Sequence, residues 1–117
     1  MSRAAEVELS FGGADRLFRL PIGRIRAIQE KCDAGLMELL NRYALGHDRI
    51  DDTREVILQG LIGGGMVITE AQKLIEAFFD PPEIPKRQFT HLAQAIVSVA
   101  LFGVPDEPPG ETEAVTA

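Results

Sequence analysis

One cysteine, Cys32, in 117 residues leaves no partner for an intramolecular disulfide and too few thiolates for a cysteine-based zinc cluster. Long apolar runs are missing too. The longest, around Ala95 to Val104, is interrupted by Ser98 and Gly103 and falls short of the roughly 20 residues that cross a bilayer, so no membrane partner is expected. Basic charge is scarce: 12 Lys and Arg face 18 Asp and Glu, for a net charge of −6. That balance opposes affinity for a phosphate backbone, which depends on Lys and Arg displacing counterions, so nucleic acid is not an expected partner. The opening Met-Ser-Arg-Ala-Ala-Glu lacks the continuous apolar stretch of a secretory signal, and a cytoplasmic location is expected.

What is present suits a folded domain. Apolar residues make up 45% of the chain and charged residues 26%, enough apolar surface to offset chain entropy. The length fits a single core, and one domain over residues 1–104 is expected. Residues 105–117 carry an aspartate, three glutamates, Pro108-Pro109 and one large aliphatic residue, Val115, a composition that predicts a disordered acidic tail.

Val7, Leu9 and Phe11 alternate with Glu6, Glu8 and Ser10 ahead of Gly12-Gly13, and Leu17-Phe18-Arg19-Leu20 follows. Period-two patterning around a glycine turn predicts a β-hairpin within 5–20. After Pro21 the apolar period becomes helical: Ile22, Ile25, Ile28 and Cys32, then Leu36, Leu39, Leu40 and Tyr43 before Gly46. Asp51-Asp52-Thr53 supplies capping oxygens, with Glu55 as a capping-box-like partner, for a third helix through Val56, Ile57, Leu61 and Ile62. Thr69 with Gln72 forms a second capping box, ahead of Leu74, Ile75, Phe78 and Phe79. The stiff Pro81-Pro82-Glu83-Ile84-Pro85 connector leads to a last helix through Phe89, Leu92, Ala93, Ile96, Val97 and Ala100. That helix is apolar around much of its girth and is expected at the centre of the core. The fold class is therefore α+β and mostly α, a hairpin packed on a compact bundle of about five short helices.

Chemistry is hard to find in this pattern. The glycines from Gly60 to Gly65 lack the Lys-Ser or Lys-Thr and the preceding strand of a phosphate-binding loop. His47 and His91 are too far apart for a local metal motif, and Cys32 sits on an apolar stripe as a small core residue. Asp51-Asp52 and the tail glutamates are explained by capping and solubility, and Arg16, Arg19, Arg24 and Arg26 by a solvated face or an acidic protein partner. No catalytic residue, cofactor or metal site is expected, and an enzyme is the remotest reading.

The stretch Val56-Ile57-Leu58-Gln59-Gly60-Leu61-Ile62-Gly63-Gly64-Gly65, followed by Thr69-Glu70-Ala71-Gln72 and Leu74-Ile75, resembles the tail-assembly chaperones of gene transfer agents and tailed phages, also labelled phage tail tube proteins of gene transfer agents. Ile28, Glu30, Gly35-Leu36 and Leu39-Leu40 upstream, and Leu92-Ala93, Ile96 and Ala100-Leu101-Phe102-Gly103 downstream, extend the resemblance over residues 5 to 103. Met66-Val67-Ile68 is more apolar than the family pattern at that junction. The resemblance implies a protein that binds the tape-measure protein, or other tail proteins, while a phage-like tail is built. The alternative it leaves is a structural tail component or small adaptor retained in the virion.

Two surfaces follow as expectations. Met66, Val67, Ile68, Phe79, Val99, Leu101 and Phe102 lie off the main stripes or at the junction, and are expected to form one exposed apolar patch for a partner, unless the hairpin or a homo-oligomer covers them. Gly63, Gly64 and Gly65 are expected to act as a hinge between the third and fourth helices, or else to serve a tight turn.

Overall fold

A computed structural model describes residues 5–104, and the expected tail lies outside the described residues. Strands β1 (Glu6–Phe11) and β2 (Ala14–Arg19) form an antiparallel hairpin, followed by α1 (Ile22–Cys32), α2 (Leu36–Leu45), α3 (Ile50–Gly63), α4 (Ile68–Phe78), a single 3-10 turn (Lys86–Phe89) and α5 (Thr90–Phe102). The fold is the expected hairpin on five helices.

Gly12 and Gly13 take φ of 66° and 83°, the positive values that a two-residue type I′ turn requires and that only glycine adopts without cost. The register pairs Phe11 with Ala14, Val7 with Phe18 and Glu8 with Leu17. Cross-strand partners share a face, so Val7, Leu9, Phe11 and Phe18 turn to the helices while Glu6, Glu8, Ser10, Asp15, Leu17 and Arg19 turn outward. Arg16 braces the turn, its Nε donating to the Phe11 carbonyl at 3.0 Å and its Nη2 to the Gly12 carbonyl at 3.2 Å.

The helices begin and end for local reasons. Pro21 precedes α1, which stops at Asp33 in the left-handed region with φ 55°. Gly46, at φ 73°, closes α2. Neither expected capping box forms. Helix α3 starts one turn before Glu55, with Arg49 flanking it, and the Asp52 carboxylate accepts the Arg49 backbone N–H at 2.8 Å. Helix α4 starts at Ile68 with Val67 before it and no side-chain cap bond, so Thr69 and Gln72 lie inside the helix rather than bracketing its end.

The centre of the core is α3, not α5 as the apolar girth of α5 suggests. From Asp52 to Leu61 only Arg54 escapes burial, and α3 packs against α1, β2, α4 and α5. Its position is disguised in sequence because Asp52, Thr53, Glu55 and Gln59 are polar yet buried. Around it close Ile28, Leu39, Ile75, Val97 and Phe18. Gly60 makes room at the crossing, since a Cβ there would lie 2.9 Å from Phe18 and 3.3 Å from Ile96.

Candidate functional site

The carboxyl end of α3 and the start of α4 meet the outer edge of β2, while the hairpin turn meets the far end of α4. Gly63 and Gly64 carry their backbone against β2: a Cβ on Gly63 would collide with the Arg19 carbonyl oxygen, and one on Gly64 with that of Leu17. Only a glycine hydrogen fits there, facing the carbonyl as a weak Cα–H···O contact. Gly65, at φ 112°, supplies the turn. The glycine run therefore has a packing cause at Gly63 and Gly64 and a conformational one at Gly65. Bending within Gly63-Gly64 would have to part α3 from β2.

Helix α4 buries Ala71 and Ile75. With 3.6 residues per turn, Val67, Leu74 and Phe78 share the adjoining flank at i, i+7 and i+11. Leu74 is half-buried, while Val67, Ile68 and Phe78 are exposed, Val67 by 63%. The hairpin turn lies against this flank: a Cβ on Gly12 would stand 3.0 Å from Phe78 and 3.3 Å from Leu74, and the Phe11 ring meets Phe78 edge-on with centroids 6.4 Å apart. On the β2 side, Leu17, Leu61, Gly64 and Met66 join Asp15 and Arg16 around an open depression of about 270 Å³.

Part of the expected patch is withdrawn into the core. Met66 is half-buried beside Leu17, and Val67 and Ile68 are exposed. Phe79 is 1% exposed, a correction to its place in the patch. The proline connector folds back so that Phe89 stacks on Phe79 at 5.0 Å, and Lys86 sits 5.6 Å from the Phe79 ring centroid while donating to the carbonyls of Pro81 (2.9 Å) and Ile84 (2.7 Å). Val99 is also buried, at 6% exposure, because α5 packs on α2, α3 and the hairpin at once and so hides a wide arc. Leu101 and Phe102 are exposed, but they lie at the far end of α5, about 20 Å along the helix from Phe89 at 1.5 Å per residue. They therefore stand apart from Phe78, which meets Phe11 near the other end of α5. Leu17 and Phe78 were missed by sequence reasoning, although the outward register of Leu17 opposite Glu8 and the shared angle of 67, 74 and 78 are both legible signals.

The amino-terminal end of α3 holds the buried polar groups, and they are matched. Arg42 Nη1 donates to both Asp52 oxygens at 3.0 and 3.1 Å and to the Cys32 carbonyl at 3.2 Å. The Tyr43 and Thr53 hydroxyls are 2.9 Å apart. Farther along, Arg24 Nη1 donates to Gln59 Oε1 at 3.0 Å, and Gln59 Nε2 donates to Glu55 Oε2 at 2.7 Å. Burial, reinforced by the negative charge and hydrogen bond of Asp52, pushes the Cys32 thiol from 9.0 up to about 12. A thiol so held is protonated at neutral pH and is a poor nucleophile. His47 and His91 are exposed, and no His, Cys, Asp or Glu group suited to a metal ion occurs among the described residues. No helix of the described residues is long and apolar enough to cross a membrane.

Fold and surface together define a small α+β domain that buries its polar network and presents apolar side chains beside a hairpin turn. The sequence model of the family described as phage tail tube protein, GTA-gp10, matches residues 4–103, and the chain belongs to that family, a phage tail-related family of gene transfer agents. No curated protein and no solved structure matches it.

Proposed function

We propose that this chain is a tail-assembly chaperone, a binding protein without a catalytic step, that holds the tape-measure protein in the cytoplasm until a tail tube grows around it. The observation that carries the reading is the exposed apolar flank of α4, with Val67 and Ile68 at its start and Phe78 at its end, the last beside Leu74 and the hairpin turn. Such a surface suits a helical client that lays apolar residues against a groove. Met66 beside Leu17 adds an adaptable side chain at its rim. Family membership supports other tail proteins as the partners.

Val67 permits a sharp test, because it precedes α4 without a side-chain cap bond. Aspartate is a favoured residue at that position and adds about 0.5–2 kcal/mol where it caps. Val67→Asp is therefore expected to keep or raise the melting temperature while reducing recovery of soluble tape-measure protein in co-expression by about tenfold or more. Undiminished recovery with Val67→Asp would remove α4 from the binding surface. The family description favours a second reading, a tube component retained in the finished tail. Purified particles separate the two: a chaperone is absent from them, a component is present in fixed copy number.

A further inference from the structure

The two edges of the hairpin differ. In an antiparallel pair closed by a two-residue turn, hydrogen-bonded and non-hydrogen-bonded pairs alternate from the turn outward. Phe11 and Ala14 close the turn, so residues 6, 8 and 10 of β1 and 15, 17 and 19 of β2 point their backbone groups away from the partner strand. The carbonyls of Leu17 and Arg19 do face outward, and there Gly64 and Gly63 cover them. Glu6, Glu8 and Ser10 have no such cover: among the described residues no backbone bond outside the hairpin reaches them. Beside this open edge lies a pocket of about 280 Å³, bounded by Ser10, Phe11 and the turn glycines on one side and by Gln88, Phe89 and Leu92 on the other.

We propose that the free edge of β1 takes up an extended segment of a partner protein in which Lys or Arg alternates with a large apolar residue. Main-chain hydrogen bonds to Glu6, Glu8 and Ser10 would hold it as a third strand. Because side chains on a strand alternate in direction, one set turns to the helix side, where Phe11, Phe89 and Leu92 line the pocket. The other set turns to the outward face, where Glu6 and Glu8 are exposed. Glu6 has Arg19 opposite it across the hairpin, but Glu8 has Leu17, so Glu8 is the carboxylate left for an incoming cation. Charge also excludes the simplest competitor. Two copies of β1 paired about a two-fold axis at Glu8 would set Glu8 against Glu8, and like charges directly opposite are destabilising. This edge adjoins the α4 flank only at Phe11 and the hairpin turn, and variants at Glu8 and at Val67, away from that junction, test the two readings separately.

The test uses the full chain and a synthetic peptide of about six residues, the length of an ordinary strand, alternating lysine with valine. At low salt the peptide is expected to bind and to slow amide exchange at Glu6, Glu8 and Ser10 by about tenfold or more, followed by NMR. A glutamate–valine peptide of the same length should not bind, and Glu8→Lys should weaken the lysine–valine peptide by about tenfold or more without changing the melting temperature. Val67→Asp, which alters the other surface, should leave peptide binding unchanged. The proposal is overturned by no binding at about 1 mM peptide, by binding without protection of those three amides, by equal binding of both peptides, or by an unaltered affinity in Glu8→Lys. Self-association that protects the same amides in the absence of peptide would overturn it in favour of a second copy.

Discussion

The two ends of α3 are secured by opposite chemistry. Its amino-terminal end is locked by charge: a fully buried Asp52 takes two bonds from Arg42 and one from the Arg49 backbone, with Cys32 alongside. Its carboxyl end is locked by shape, through Gly63 and Gly64, whose backbone touches β2, and through Gly60, which admits Phe18 and Ile96. A buried charge tolerates no loosening, because an unpaired ion in the interior is costly. Apolar contacts can be exchanged for other apolar contacts at small cost. The end held by shape is therefore the one that can offer side chains to a partner, and Val67, Ile68 and Leu17 are exposed there.

Mutation can break either lock. Asp52→Ala leaves Arg42 buried without its carboxylate and the Arg49 N–H without an acceptor, and should cost about 3–5 kcal/mol by urea denaturation. A loss below about 1 kcal/mol would show that water replaces the carboxylate and that the lock is not electrostatic. Gly64→Ala should cost about 1–3 kcal/mol, the usual penalty for forcing extra volume into a packed site. Its φ of −77° is ordinary, so the loss would come from the Leu17 carbonyl and not from backbone strain. If the protein instead melts unchanged and only client binding fails, the glycines serve as a joint.

The smallest effect concerns a pair outside both locks. Arg54 reaches Asp80 with two bonds of 2.8 Å, and the hydrogen bond from Arg54, more than its charge, holds the Asp80 carboxyl below its usual 3.8. A depressed carboxyl contributes stability above its unfolded value and loses it as pH falls through the lower folded value. Asp80→Asn should therefore cost at most about 1 kcal/mol near neutrality, because the pair is partly solvated. The difference from the unaltered chain should vanish as the pH falls below the folded value. A difference that persists there would point to packing of the connector, not to the ion pair.

Much of this architecture is legible in the residues. The alternation of Val7, Leu9 and Phe11 ahead of Gly12-Gly13 specifies the hairpin, and helical periods after Pro21 specify five helices. Two features escaped for physical reasons. Asp52, Thr53 and Glu55 read as a capping set and Gln59 carried no structural reading, since polarity is visible in sequence while the partners Arg42, Tyr43 and Arg24 are brought to them only by the fold. Phe79 read as exposed because its cover, Phe89 and Lys86, arrives from beyond a five-residue proline connector whose return path has no local signature. The patch residues Val67, Ile68, Leu101 and Phe102 were legible as exposed, but the burial of Val99 was not.

The cover that α3 lays over β2 has a consequence for how this domain can combine with others. A hairpin with both edges bare has two valences and can be extended without limit, which is the geometry of a fibre. Here Gly63 and Gly64 cap one valence with helix backbone, and a Cβ at either position would push the cap off. Strand addition is left to the β1 side alone, because on the other side β2 meets α3. The glycine pair thus works as a chain terminator for strand addition, leaving a unit that can join an assembly as an end but not run through it as a link.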